Sequence, residues 1–221
     1  VERILPTCWA EVTMKVQEFI KNQQGYGTLI IDTADWAEQL AKQKICDELQ
    51  LSNIEDLGYG KGYVYLAKEI QKLLNDLTIL NNKGMHIVIL AHAQIKKFEQ
   101  PDEAGAYDRY EMKLEKKTSP LYREWANMVL FGNHKTYVVE DKNKKKRAQD
   151  AGRVIYTTHS PSWDAKNREN FPSELKLLPG ALPPELAKVL EFKKSTPVET
   201  KKEVPKEKSA EKPVEEVTEE T

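Results

Sequence analysis

Asp32 ends the run Thr28-Leu29-Ile30-Ile31, and a carboxylate placed just after a short apolar segment has two ordinary uses. It can hold Mg²⁺, usually through water, against the β- and γ-phosphates of a nucleotide. It can also cap the helix that follows, with Thr33 helping. His92 and Gln94 directly follow a second apolar run, Met85–Ala91. Polar side chains there could sense a γ-phosphate or orient an attacking water; the plainer alternative is a buried histidine and a solvated glutamine. Lys166 and Arg168 form a third group. A rigid guanidinium beside an ammonium suits the spread negative charge of a phosphoryl group in transfer. Two solvated surface cations would need no such role.

Two further segments carry charge. Between residues 96 and 117, six cations including Lys96, Lys97 and Arg109 face six acids, with Phe98, Tyr107 and Tyr110 among them. Aromatic rings could stack on bases while the cations hold phosphates, although the net charge is zero. The run Lys142-Asn143-Lys144-Lys145-Lys146-Arg147 is a denser cationic cluster and a better electrostatic match to nucleic acid. Gly58-Tyr59-Gly60-Lys61-Gly62 resembles a phosphate loop only superficially. It lacks the G-x-x-x-x-G-K-[ST] spacing, which occurs nowhere in the chain, and a flexible approach to a helix explains it more simply. No GxSxG, HExxH or nucleophile-spaced Cys/His pair supports other hydrolase chemistry.

The elements that must position these groups follow from periodicity. Thr7 precedes apolar positions Trp9, Val12, Val16, Phe19 and Ile20, whose spacing predicts a helix with one buried face. Thr28–Ile31 and Met85–Ala91 are continuously apolar, which predicts strands buried on both faces, as in a parallel sheet. Between them, Trp36–Lys44 and the row Leu66, Ile70, Leu73, Leu74, Leu77 and Leu80 predict helices. The order is strand, helix, strand, with a right-handed crossover. Residues 96–118 read as a long loop, Ser119–Trp125 as a short helix, and Met128–Phe131 as a strand. Tyr137–Val139 and Val154–Tyr156 read as a hairpin with its tip over Asp141–Gly152, and Glu185–Phe192 as a last helix.

The whole chain of 221 residues holds 34 basic against 35 acidic side chains, with mean hydropathy −0.66. The seven lysines, eight glutamates and three prolines after residue 192 cannot bury enough apolar surface to order themselves, so residues 193–221 are expected to be a disordered tail. Residues 1–192 are left neutral, which excludes a polycation that binds nucleic acid through its overall charge. No apolar run nears the roughly 18–20 residues of a membrane span. Two cysteines outside any ligand pattern fit a reducing compartment. The chain begins at Val1 and enters a helical pattern almost at once, so it reads as a piece of a longer protein.

The order of these parts is more specific than any one of them. Residues 26–33, Gly60-Lys61-Gly62-Tyr63, His86–His92 and Trp163-Asp164-Ala165-Lys166-Asn167-Arg168 together resemble the RecA-like P-loop ATPases. They are most similar to phage-encoded nucleotide-binding proteins of the AAA/RecA type, including Sak-type single-strand-annealing ATPases. The resemblance covers residues 1–180 and implies an α/β, three-layer RecA-like core with a mostly parallel sheet, lacking its first phosphate-binding unit and followed by a β-hairpin. It implies ATP and Mg²⁺ as cofactors, Asp32 as the metal-holding acid with Thr33 and His92 beside the nucleotide, and Gln94 as the sensor. Lys166 and Arg168 would be catalytic fingers inserted into the next subunit of a homo-oligomeric ring or filament. The partner would be DNA, chiefly single-stranded, met by Lys96, Lys97, Lys144, Lys145, Lys146 and Arg147. The location would be the cytoplasm of a bacterial host, with no membrane. The competing expectation is a non-catalytic nucleic-acid-binding or scaffold protein that retains the sheet.

Overall fold

A computed structural model describes residues 2–99, 105–140 and 146–190. The elements begin with α1 (Trp9–Lys21), β1 (Thr28–Asp32), α2 (Ala34–Leu49), a 3-10 turn (Ile54–Leu57), α3 (Lys61–Asn82) and β2 (His86–Leu90). They continue with β3 (Ala93–Glu99), β4 (Ala106–Met112), α4 (Ser119–Trp125), β5 (Phe131–Glu140), β6 (Lys146–Tyr156), β7 (Glu174–Leu177) and α5 (Pro184–Leu190). The expected tail and most of the basic tip, residues 142–145, lie outside the described residues. The class is α/β, with β1 and β2 parallel and in register from Thr28↔His86 to Asp32↔Leu90. The remaining strands pair antiparallel, β3 with β4 and β5–β6–β7 in sequence.

The core forms around α3 because its apolar residues recur at three- and four-residue steps. Leu66, Ile70, Leu73, Leu74, Leu77 and Leu80 are each at most 1% exposed. Burying a leucine in this way contributes about 1.5–3 kcal/mol. Ala34, Ala37, Ala41 and Ile45 of α2 pack into the same cluster, as do Trp9 and Val16 of α1. Leu29 and Ile31 of β1, with Ile87 and Ile89 of β2, close it from the sheet side. The opposite face carries Ile30 at 54% and Leu90 at 45% exposure. Burial on both faces therefore does not hold among the described residues: β1 alternates inward and outward, because helices cover one side only.

The described residues of the segment 96–118 do not form one long loop. β3 and β4 form an antiparallel ladder from Ala93↔Met112 to Glu99↔Ala106, and only the turn into α4 follows it. The charges that hid this hairpin face one another across it: Lys96 meets Glu111 at 3.6 Å, and Lys97 lies opposite Asp108. Phe98 and Tyr107 pack edge to face at 5.6 Å, so these rings satisfy each other. The strand expected near Met128 is a single bridge, Val129↔Lys166, before β5 begins at Phe131. A second apolar group joins this half: Trp163 stacks on Tyr156 at 4.2 Å and on Phe131 at 5.6 Å, with Tyr110 against Phe131 at 5.0 Å.

One polar contact inside the helical layer makes a direct test of the packing. The indole N–H of Trp9, a residue 2% exposed, donates to Glu69 at 3.0 Å, and Lys44 and Lys72 reach the same carboxylate at 3.0 and 2.6 Å. Burial alone would raise the Glu69 carboxyl, but these three donors push it down to about 2. Glu69→Ala leaves a buried indole N–H unsatisfied, and should cost about 2 kcal/mol by urea denaturation. Because the folded-state value is depressed, the Glu69 contribution is present above the ordinary carboxylate range and is lost as pH falls toward about 2. The stability difference between wild type and Glu69→Ala should therefore narrow on acidification; a gap that stays constant to pH 2.5 would remove this assignment.

Candidate nucleotide edge and its neighbours

Parallel strands deliver their carboxyl ends to one edge, and that edge is where open α/β sheets bind ligands. Asp32 stands there, exposed, at the last position of β1. The residue at the N-cap of α2 is Thr33, which is 9% exposed and makes no side-chain capping bond. Helix capping thus does not occupy Asp32, and its carboxylate has no hydrogen bond or ion pair with any described residue. Among the described residues no cluster of three or more His, Cys, Asp or Glu could enclose a metal. A lone exposed carboxylate fits Mg²⁺ all the same, since Mg²⁺ keeps several waters and takes phosphate oxygens for the rest.

One helical turn beyond Asp32, Asp35 points back at the second strand. It is 8% exposed, and its Oδ1 accepts the backbone N–H of His92 at 3.2 Å. Its Oδ2 lies 2.9 Å from His92 Nδ1. Burial would raise the Asp35 carboxyl, but the His92 ring and backbone N–H groups outweigh it and hold it below the usual aspartate value. The His92 side chain is 58% exposed, so the ring is gripped on one side and open on the other.

Gln94, the second residue of β3, is half-buried and donates from Nε2 to the carbonyl of Met112 at 3.2 Å. It lines a cleft of about 360 Å³ together with Asp35, Glu38, Lys42, Lys113 and Glu115. At the cleft floor Glu38, 2% exposed, accepts the Thr118 hydroxyl and the backbone N–H of Glu115, the latter at 3.1 Å. Burial pushes the Glu38 carboxyl up, against these donors and Lys42. Lys42 also reaches Glu115 at 2.5 Å. The helix that starts beside Asp32 is thereby fastened to the turn that launches α4.

The two predicted fingers have different surroundings. Lys166 donates to the carbonyls of Arg123 at 2.8 Å and Glu124 at 3.2 Å, the last turn of α4. Desolvation and then the neighbouring Arg168 hold its ammonium below the ordinary lysine value. Arg168 is exposed, with one contact to Asn127 Oδ1 at 3.3 Å. Nearby, Asp164 accepts from Arg109 and, at 2.6 Å, from Arg123. Arg109 is 8% exposed and also lies over the Phe98 ring at 5.2 Å, so this cation belongs to the fold and not to a ligand surface. Lys96 and Lys97 stay exposed on β3, and Arg147 is exposed on β6. Lys144 and Lys145 lie outside the described residues, and of Lys146 only its place at the start of β6 is described.

Glu38 was not singled out from sequence, and Arg109 and Asp164 entered there only as one of six loop cations and as part of the segment that leads to Lys166. Asp35 alone had a usable signal, since three residues after Asp32 is one helical turn on the same edge. Residues 1–169 match the family model described as AAA domain. No curated protein and no solved structure matches the chain. No helix among the described residues is long and apolar enough to cross a membrane.

Proposed function

Because the chain belongs to the AAA domain family of P-loop NTPases, which generally use ATP and Mg²⁺, we propose that it supplies the acid and sensor edge of a phage-encoded RecA-like ATPase acting in DNA recombination or single-strand annealing. The observation that carries this is the exposed Asp32 at the shared carboxyl edge of β1 and β2, with His92 and Gln94 leaving the neighbouring strand at that edge. The 221 residues contain no G-x-x-x-x-G-K-[ST], and in this proposal the loop that grips the phosphates lies outside them. Asp32 would hold Mg²⁺ through water, and the ion would offset charge on the β- and γ-phosphates. Gln94 links that edge to the β3–β4 hairpin through its bond to Met112. Arg168 reaches the nucleotide of an adjacent subunit in a ring or filament. Single-stranded DNA meets Lys96 and Lys97 of the hairpin and the basic run ending at Arg147, through phosphate contacts that weaken with salt.

The test is nucleotide binding by the full-length protein with and without Mg²⁺. A fluorescent ADP analogue should bind about tenfold more tightly in Mg²⁺ than in EDTA, and Asp32→Asn should erase that difference. An unchanged Mg²⁺ effect in Asp32→Asn would overturn the metal role and, with it, the nucleotide edge.

A further inference from the structure

We propose that Asp35 and His92 act as one unit, in which the buried carboxylate fixes the imidazole with its proton on Nδ1 and leaves Nε2 as a proton acceptor for water at the strand edge. This rests on the nucleotide-edge reading above and assigns the proton transfer within it. The geometry has three parts. Asp35 Oδ1 holds the backbone N–H of His92, so the residue's position is set before its ring is considered. Asp35 Oδ2 is 2.9 Å from Nδ1, and an ionised carboxylate has only lone pairs, so the proton on that bond sits on nitrogen. The carbonyl of His92 accepts the N–H of Lys113 at 2.7 Å, which ties the same residue to the end of β4.

These three bonds leave the ring little freedom about its backbone, while its outer edge stays open. No described residue supplies a hydrogen bond to Nε2. The charged groups that line the cleft beside Asp35 are Glu38 and Lys42 from α2, and Lys113 and Glu115 from the segment after β4. Lys42 is engaged by Glu115, so it does not compete for the Asp35 carboxylate.

The step balances without a further reactant. Nε2 takes one proton from a water while that oxygen bonds to the γ-phosphorus and the bond to the β–γ bridging oxygen breaks. The proton then leaves Nε2 for the departing phosphate. Asp35 touches no reacting atom and is a positioning residue; His92 is the catalytic one. A neighbour that fixes tautomer in this way is known to matter, since its loss leaves the geometry but presents the wrong nitrogen.

Histidine-selective ¹⁵N labelling of the chain reads the tautomer without any nucleotide. The four histidines are few enough to assign the His92 signals by their loss in His92→Gln. The neutral ring of His92 should carry its proton on Nδ1, and Asp35→Asn should shift the population toward protonated Nε2. In the full-length protein, Asp35→Asn and His92→Gln should each lower kcat by about 10²-fold with KM nearly unchanged. A wild-type ring protonated on Nε2 overturns the positioning role, whatever the protein hydrolyses. A shifted tautomer with undiminished kcat overturns the catalytic role alone. The expected tautomer in a full-length protein that never hydrolyses ATP overturns the catalytic role together with the ATPase reading, and leaves the positioning intact.

Discussion

ATP turnover by the full-length protein is expected to fall by about 10³-fold or more when Arg168 becomes alanine, with nucleotide affinity retained. The size follows from what a guanidinium does at a phosphoryl group: it meets charge that develops only in the transition state, so its loss appears in kcat. The structure separates this residue from its neighbour. Lys166 spends its ammonium on the carbonyls of Arg123 and Glu124, and its backbone pairs with Val129 in both directions at 2.8 Å. It fastens the strand-like segment to the end of α4, where a cation also meets the negative pole of the helix. Arg168, two residues on, is exposed beyond that anchor. Lys166→Ala should therefore cost about 1.5–3 kcal/mol of stability, as the loss of charge-assisted bonds does, and reduce turnover less than Arg168→Ala. A mixing experiment tests action between subunits. Arg168→Ala and Asp32→Asn proteins, each inactive alone, should regain roughly one quarter of wild-type turnover when combined equally, because that share of interfaces joins two intact halves. No recovery on mixing would overturn action between subunits, because a site built from one chain's own Asp32 and Arg168 is broken in both proteins.

The helical layer was legible in sequence because its chemistry is local. Leu66 through Leu80 recur at helical steps, and nothing outside α3 is needed to see which face they bury. The runs ending at Asp32 and Ala91 gave β1 and β2 for a similar reason: short, β-branched and bounded by turns. The hairpin of β3 and β4 was hidden because its apolar signal is thin, and its charges cancel only across strands. Lys97 looks solvated until Asp108 stands opposite it. Arg109 looks like a ligand-binding cation until Asp164, 55 positions later, accepts its guanidinium. The site was half legible. Asp32, His92 and Gln94 mark strand ends, which sequence can find. The Asp35–His92 pair spans 57 positions and depends on parallel register. Lys166 is the harder case, since its partners are backbone carbonyls and no side-chain type announces them.

Gly62→Ala should destabilise the fold by about 3 kcal/mol, in the upper range for overpacking. Local preference alone points the other way, because alanine is favoured over glycine inside a helix by about 1 kcal/mol. What decides it is contact. A Cβ on Gly62 would lie 2.3 Å from the Ile54 carbonyl oxygen and 2.6 Å from Ile54 Cγ1. The carbonyl cannot rotate aside, since it belongs to the 3-10 turn that Asn53 caps reciprocally with Asp56. Ile54 is 5% exposed and part of the main core, so moving it also opens the core. The segment Gly58–Gly62 is therefore shaped, not merely flexible: Gly58 and Gly60 take positive φ of 69° and 66°, and Gly62 admits the turn against α3. Gly60→Ala is the comparison, with open space around its Cβ and only the left-handed backbone to oppose it; it should cost about 1–2 kcal/mol. Adding Ile54→Ala to Gly62→Ala should not restore stability, because the closer clash is with backbone. Urea midpoints followed by circular dichroism measure all three. A Gly62→Ala protein as stable as wild type would mean that the 3-10 turn gives way at no cost, and that Ile54 is not the wedge that sets where α3 begins.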